Sequence, residues 1–158
     1  MKFVSIIIQN RDDYEKMKPC FDIFETFSVR YELIISSAIK SKQRTQEYVK
    51  NACSKGAVVF ITASVEPVHL CACVASHTIH PVIAVGLSVK QPQVITSMPK
   101  SFPIAHVQLG EQGVCNAAYL AMQILALHDK ELAAKLIEDR IVQQKEISTF
   151  SKEIEVLV

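Results

Sequence analysis

The chain has 158 residues, 49% of them hydrophobic and 21% charged, with a formal net charge of +1. That length and balance predict one folded domain with a sizeable core and exclude a disordered chain. The near-neutral charge gives no reason to expect nucleic acid or membrane as a partner, and no run is long and apolar enough to span a bilayer.

Residues 3–8 are a short apolar run that reads as a buried first strand. No small-residue cleavage site follows, so a signal peptide is not expected and the default location is the cytoplasm. Asp12 and Asp13 offer an N-cap, and Tyr14, Met17, Phe21, Phe24 and Phe27 follow at helical spacing. Residues 31–35 form a second apolar run. Ser41 can cap a helix that carries Tyr48, Val49 and Ala52 and stops at Gly56. Residues 57–61 are a third strand. Glu66-Pro67 then opens a helix whose Ala72, Ala75 and Ser76 permit close packing. Residues 82–85, after Pro81, and 104–109 complete five predicted strands. An alanine-rich helix is predicted over 112–127. A last one follows His128-Asp129 and runs through Arg140 toward the end.

Short buried strands alternating with helices mean βαβ units and a parallel sheet. The fold class is therefore α/β. One domain is expected over 1–158, with its core in 3–127 and a helical extension in 128–158. In such sheets the ligand site lies at the carboxyl ends of the strands. That rule selects residues 9–13, 36–41, 62–70 and 110–116.

Glycine is scarce, with four residues where average usage gives about eleven. A nucleotide-binding chain places glycines where its backbone must approach phosphate, and few are on hand here. The five cysteines read as reduced, and most sit in apolar surroundings that point to burial. Cys71-Ala72-Cys73 lacks the two-residue spacing of zinc and redox pairs, so no metal is expected, and no cofactor. His77 and His80 read as surface residues, and His106, among apolar neighbours, as a core or interface residue. Leu132, Leu136, Ile137, Ile141 and Val142 recur at three-to-four spacing, and Ile147, Phe150, Ile154 and Leu157 continue the pattern. Such an apolar stripe is expected to be covered by another subunit.

The four selected segments carry a family resemblance. Residues 4–13, ending Gln9-Asn10-Arg11-Asp12-Asp13, resemble the first strand and Gly-Ser-x-Ser-Asp loop of the carboxyaminoimidazole ribonucleotide mutases (PurE) of purine synthesis. Ser37-Ala38-Ile39-Lys40 falls where that family has Ser-Ala-His-Arg, and Val68-His69-Leu70 matches the end of its Gly-Gly-Ala-Ala-His-Leu segment. Ser97-Met98-Pro99 resembles its Gln-Met-Pro turn. Gly110, Gly113, Asn116 and Ala117 fall on its second glycine motif, and residues 123–129 are close to its last-helix signature. The resemblance covers roughly residues 3–140 in the right order. It implies a flavodoxin-like three-layer domain, a homo-octamer with a C-terminal helix reaching a neighbour, and a small nucleotide-like ligand. By family position the ligand-binding residues are Asn10, Asp12, Asp13, Ser37, Ala38, Lys40, Ser64, His69 and Leu70.

The departures fall on the chemistry. The resemblance gives the proton-shuttling histidine the position of Ile39, which has no titratable group. The phosphate-holding arginine becomes Lys40, which keeps the charge and loses the bidentate fork. A phosphate-binding serine becomes Asp12, whose carboxylate repels a phosphate; the helix-capping reading of Asp12 and Asp13 stands beside it. The family's glycines in the third loop become Ala63, Val65 and Glu66, and the loop from Gly86 to Pro92 is shorter than the family's. The expectation is a PurE-derived oligomer that has lost the mutase reaction and serves a binding, structural or regulatory role. The alternative is an active mutase in which His69, Asp13, Ser37 and Lys40 carry binding and proton transfer. A third is another enzyme on the same scaffold, drawing on Asp12, Asp13, Glu66, His69, Cys71, Glu111 and Cys115.

Overall fold

The computed structural model describes residues 2–89 and 98–155, with side chains described through residue 151. In chain order these form β1 (Phe3–Ile8), α1 (Asp13–Thr26), β2 (Tyr31–Ile35), α2 (Lys42–Lys55), β3 (Ala57–Ser64) and α3 (Pro67–Ala75). Then follow β4 (Val82–Gly86), β5 (Ala105–Leu109), α4 (Gly110–Ala126) and α5 (Lys130–Glu155). Every ladder is parallel, and the strand order is β2-β1-β3-β4-β5. This is the expected α/β class, a flavodoxin-like parallel sheet with helices on both faces.

The inner strands are almost wholly apolar because both of their faces are covered. Ile6, Ile7, Ile8, Val59, Phe60, Ile61 and Ile83 are wholly buried. One core cluster joins Ile7, Phe60 and Ala84 of the sheet to Val49 and Ala52 of α2 and Leu70, Cys71 and Val74 of α3. β3 runs three residues past its apolar stretch. Thr62, Ala63 and Ser64 continue the ladder beside Ala84, Val85 and Gly86, and the Thr62 hydroxyl donates to the Ile83 carbonyl at 3.5 Å. β5 is the edge strand, paired with β4 alone among the described strands, and is largely exposed. His106 is exposed there, which removes the core reading of that histidine.

Helix ends follow local chemistry, with two corrections. Gly56 ends α2 at φ 108°, and Pro67 opens α3 in its first turn. Asp12 and Ser41 occupy N-cap positions, yet neither side chain makes a cap hydrogen bond. α4 starts at Gly110, two residues earlier than its pattern indicates. Asp129 caps α5, accepting from the Leu132 N–H at 3.0 Å.

The chain divides into two compact units, Met1–Met122 and Gln123–Val158. The first holds the sheet. The second is helical; in it Leu132 and Leu136 are buried, while Ile137, Ile141, Val142, Ile147 and Phe150 are exposed. The side chains of Ile154 and Leu157 lie outside the described residues, as do Ser97 of the proposed Ser-Met-Pro turn and residues 90–92 of the shortened loop. Among the described residues no helix is long and apolar enough to cross a membrane.

Candidate functional site

The strand order reverses between β1 and β3: the chain steps from β1 outward to β2, then returns past β1 to form β3. At this switch point Ile8 pairs with Ile35 on one side and Ala63 on the other. Three loops therefore meet at the carboxyl edge, one after each of β1, β2 and β3. Parallel sheets bind ligands in such a crevice.

The first loop is tied together by Asp13. Its carboxylate accepts the Asn10 N–H at 3.0 Å, and its own N–H donates to the Asn10 carbonyl at 3.2 Å. Asp13 is only 2% exposed, whereas Asn10, Arg11 and Asp12 face solvent. Burial pushes the Asp13 carboxyl above its ordinary value of 3.8, against the pull of the Asn10 N–H and Lys16, and with a further push from Asp12. A raised carboxyl disfavours folding at pH values above it and has no effect where both states are protonated. Asp13→Asn, which keeps an acceptor for Asn10, is therefore expected to raise the melting temperature at pH 7. The gain should close as pH falls below the ordinary carboxylate value. Thermal melts of both proteins across pH check this, and a gain that persists at low pH refutes it.

The second loop is closed by hydroxyls. The Ser37 hydroxyl accepts the Lys40 N–H at 3.1 Å. The Ser41 hydroxyl accepts the Ser37 N–H at 3.2 Å and donates to the Ser37 carbonyl at 2.9 Å. Beneath it, Ser36 and Thr45 are buried and bonded to each other at 2.8 Å. Ser41 thus braces the loop from within instead of capping α2. Ala38 is half-buried against the core, and Ile39 and Lys40 project into solvent, Ile39 with 66% exposure.

In the third segment Ser64 is 0% exposed, and its hydroxyl has no hydrogen-bond partner among the described residues. A buried unpaired hydroxyl costs about 1–3 kcal/mol. Glu66 is the exposed N-cap residue of α3, and His69 is exposed in the first turn. Leu70 is wholly buried in the core cluster, so only its backbone can face a ligand.

Cys71 is buried too, its thiol bonded to the Val68 carbonyl, and burial pushes it up to about 11. Burial raises Cys20 still further, and also raises Cys73 and Cys115. A thiol held protonated is a poor nucleophile, which weighs against thiol chemistry at Cys71 or Cys115. Iodoacetamide at pH 8 is expected to leave Cys20 and Cys71 unmodified in native protein and to label all five free cysteines in denaturant. Peptide mass spectrometry reads the result; rapid native labelling of Cys71 overturns it.

The last segment joins β5 to α4 without a loop. Gly110 takes φ +61° at the junction, and Gly113 lies against the Gln108 backbone. Asn116 donates to the Gln108 side-chain carbonyl at 2.8 Å. Among the described residues no three His, Cys, Asp or Glu side chains come together as a metal-binding group. Sequence reasoning missed the Ser36–Thr45 pair and the Ser5–Tyr48 hydroxyl pair at 3.0 Å. The available signal was Ser5 alone inside the first apolar run and the Ser36-Ser37 pair directly after the second.

Known proteins agree with this architecture. The model of the family described as AIR carboxylase matches residues 3–146. The N5-carboxyaminoimidazole ribonucleotide mutase of Escherichia coli (strain K12) is 31% identical over 150 residues, covering 91% of this chain and 89% of that protein. The mutase of Bacillus subtilis (strain 168) is 35% identical over 143 residues, covering 87% of this chain and 88% of that protein. The crystal structure of Treponema denticola PurE superposes with a TM-score of 0.79 at 24% identity, covering 96% of this chain and 98% of that one, a likeness of fold. The chain belongs to the AIR carboxylase family, the PurE family of purine biosynthesis.

Proposed function

We propose that this chain is a binding or regulatory member of its family that has lost the mutase reaction of its relatives. Ile39 carries the reading. It stands in the loop after β2, solvent-facing, at the position where the resemblance gives the proton-shuttling histidine, and it cannot accept or release a proton. Its surroundings support the same view. The Ser37 and Ser41 hydroxyls and the Asp13 carboxylate are engaged in holding their own loops. Asp12 is exposed where the resemblance gives a phosphate ligand. By family position a nucleotide-like ligand would meet Asn10, Asp12, Asp13, Ser37, Ala38, Lys40 and His69, with only the backbone of the buried Ser64 and Leu70 able to face it.

We read residues 1–158 as one domain whose C-terminal segment, 128–158, serves assembly. The exposed apolar side chains of α5 support a homo-oligomer, with an octamer the simplest form by family resemblance. Free cysteines fit a reducing, cytoplasmic setting.

The test is turnover. Purified protein is expected to convert N5-carboxyaminoimidazole ribonucleotide at least about a hundredfold more slowly than the Escherichia coli mutase assayed beside it, because general acid–base catalysis contributes about 10²–10⁴-fold. Comparable rates sink the proposal. They would favour the second reading, an active mutase, which draws support from the 31% and 35% identities to mutases and from the exposed His69. In that case His69→Ala abolishes turnover.

A further inference from the structure

The amino edge of the sheet, opposite the crevice, holds a cavity of about 1010 Å³ between the last turns of α2, the α3–β4 turn and the segment entering β5. We propose that this cavity is a second ligand site, for a small anion carrying a flat apolar body. Its volume is that of a small-molecule site, for which roughly 300–1,000 Å³ is usual.

Charge comes first. Among the described residues, the lining includes Lys50, His77 and His80 and no Asp or Glu. The end of a helix such as α3 ordinarily disfavours an anion, because its last carbonyls point outward. Here three of them, those of Ala72, Cys73 and Val74, are covered. The Ser76 N–H and hydroxyl donate to the Ala72 and Cys73 carbonyls at 3.1 and 2.9 Å. The His77 Nδ1 lies 2.8 Å from the Cys73 carbonyl and 2.8 Å from the Ser76 hydroxyl. A carbonyl only accepts, so Nδ1 carries the hydrogen and His77 braces the turn; its Nε2 is then an acceptor in the neutral ring, and the donor for an anion is the Lys50 ammonium. The His80 N–H donates to the Thr78 hydroxyl at 3.0 Å, and that hydroxyl meets the Cys53 thiol at 3.3 Å. The turn is thus held by its own bonds, and the His80 ring takes no part in them.

The apolar part has an equally specific setting. Ile79 is 100% exposed and Phe102 39% exposed, both lining the cavity. Ser101, just before Phe102, holds φ +77°. That left-handed conformation is unfavourable for a residue with a Cβ and persists only where its surroundings impose it. The Phe102 N–H closes the turn onto the Pro99 carbonyl at 3.3 Å. A ring therefore stands on the wall of a cavity whose described lining carries the Lys50 ammonium and no carboxylate, an arrangement suited to an aryl phosphate or carboxylate.

Calorimetric titration of the full chain with phenyl phosphate, beside inorganic phosphate, tests the assignment. Saturable binding of phenyl phosphate is expected, tighter than inorganic phosphate by about tenfold. Lys50→Glu should weaken phenyl phosphate by about tenfold or more. Phe102→Ala should remove the preference over inorganic phosphate while leaving inorganic phosphate unchanged. Lys50 is exposed, so its variant should melt as the wild type does. No saturable binding, as when a second copy of the chain covers this edge, overturns the proposal. So does equal affinity for the two probes, or binding that survives Lys50→Glu and is lost in Lys40→Glu, which would place the anion in the crevice. The inference does not depend on the lost-mutase reading, which turnover alone decides.

Discussion

Gly113→Ala is expected to destabilise the protein by about 3 kcal/mol or more, beyond the usual 1–3 kcal/mol of overpacking. A Cβ built at Gly113 would lie 1.8 Å from the Gln108 carbonyl oxygen and 2.5 Å from its carbon. Both atoms are backbone at the end of β5, so no side-chain rotation relieves the clash. The strand and helix would have to separate at their junction, where β5 ends at Leu109 and α4 begins at Gly110. For a domain of this size that loss lowers the melting temperature by about 6–12 °C. Gly110→Ala is the control. Its φ of +61° costs a side chain about 1–2 kcal/mol, but the facing atom is the Val89 side-chain Cγ1 at 2.9 Å, which can move. The expected order of melting temperature is wild type, then Gly110→Ala, then Gly113→Ala. If Gly113→Ala melts within two degrees or so of wild type, the close junction is not what holds α4 to the sheet.

The same junction shows what a sequence can and cannot carry. β1 and β2 were legible because a mostly apolar, β-branched or aromatic run of five or six residues between polar segments has few other readings. The end of β3 was hidden, because Thr62 and Ser64 break that run although they continue the ladder. The start of α4 was hidden for a similar reason. Gly110 reads as a breaker; its φ of +61° explains the glycine there, and the close Gln108 backbone explains the one at 113. Within the crevice, strand order and spacing were enough to place Asn10, Asp12, Ser37, Ile39 and Lys40 at the carboxyl edge. They could not show that Ser41 folds back onto Ser37, nor that the Ser64 hydroxyl is buried without a partner among the described residues. Those facts depend on side-chain directions, which no periodicity encodes. The cavity at the amino edge was further out of reach. Lys50, His77 and Phe102 are distant in sequence, and each reads alone as an ordinary surface residue.

The second large effect concerns phosphate. Asp12→Ser is expected to tighten binding of aminoimidazole ribonucleotide by about tenfold or more, the equivalent of about 1.4 kcal/mol. Asp12 occupies the N-cap of α1 with φ −67°, ψ −17° and no side-chain cap bond, so the fold does not rely on its carboxylate. A helix N-terminus at a crevice ordinarily attracts an anion through its free N–H groups and its dipole. Here Asp12, Asp13 and Glu15 already load that end with negative charge. Asp13 cannot be removed without freeing the Asn10 N–H, but Asp12 can. Serine at this position supplies a hydroxyl and keeps a good capping residue. Lys40→Arg added to Asp12→Ser should tighten binding again by restoring a bidentate donor. Calorimetry with the nucleotide and with its dephosphorylated nucleoside separates charge from shape. The gain should appear for the nucleotide alone and shrink as salt is added, because exposed charges are screened. An equal gain for the nucleoside would mean that Asp12 obstructs the crevice by bulk, and the charge argument would fall.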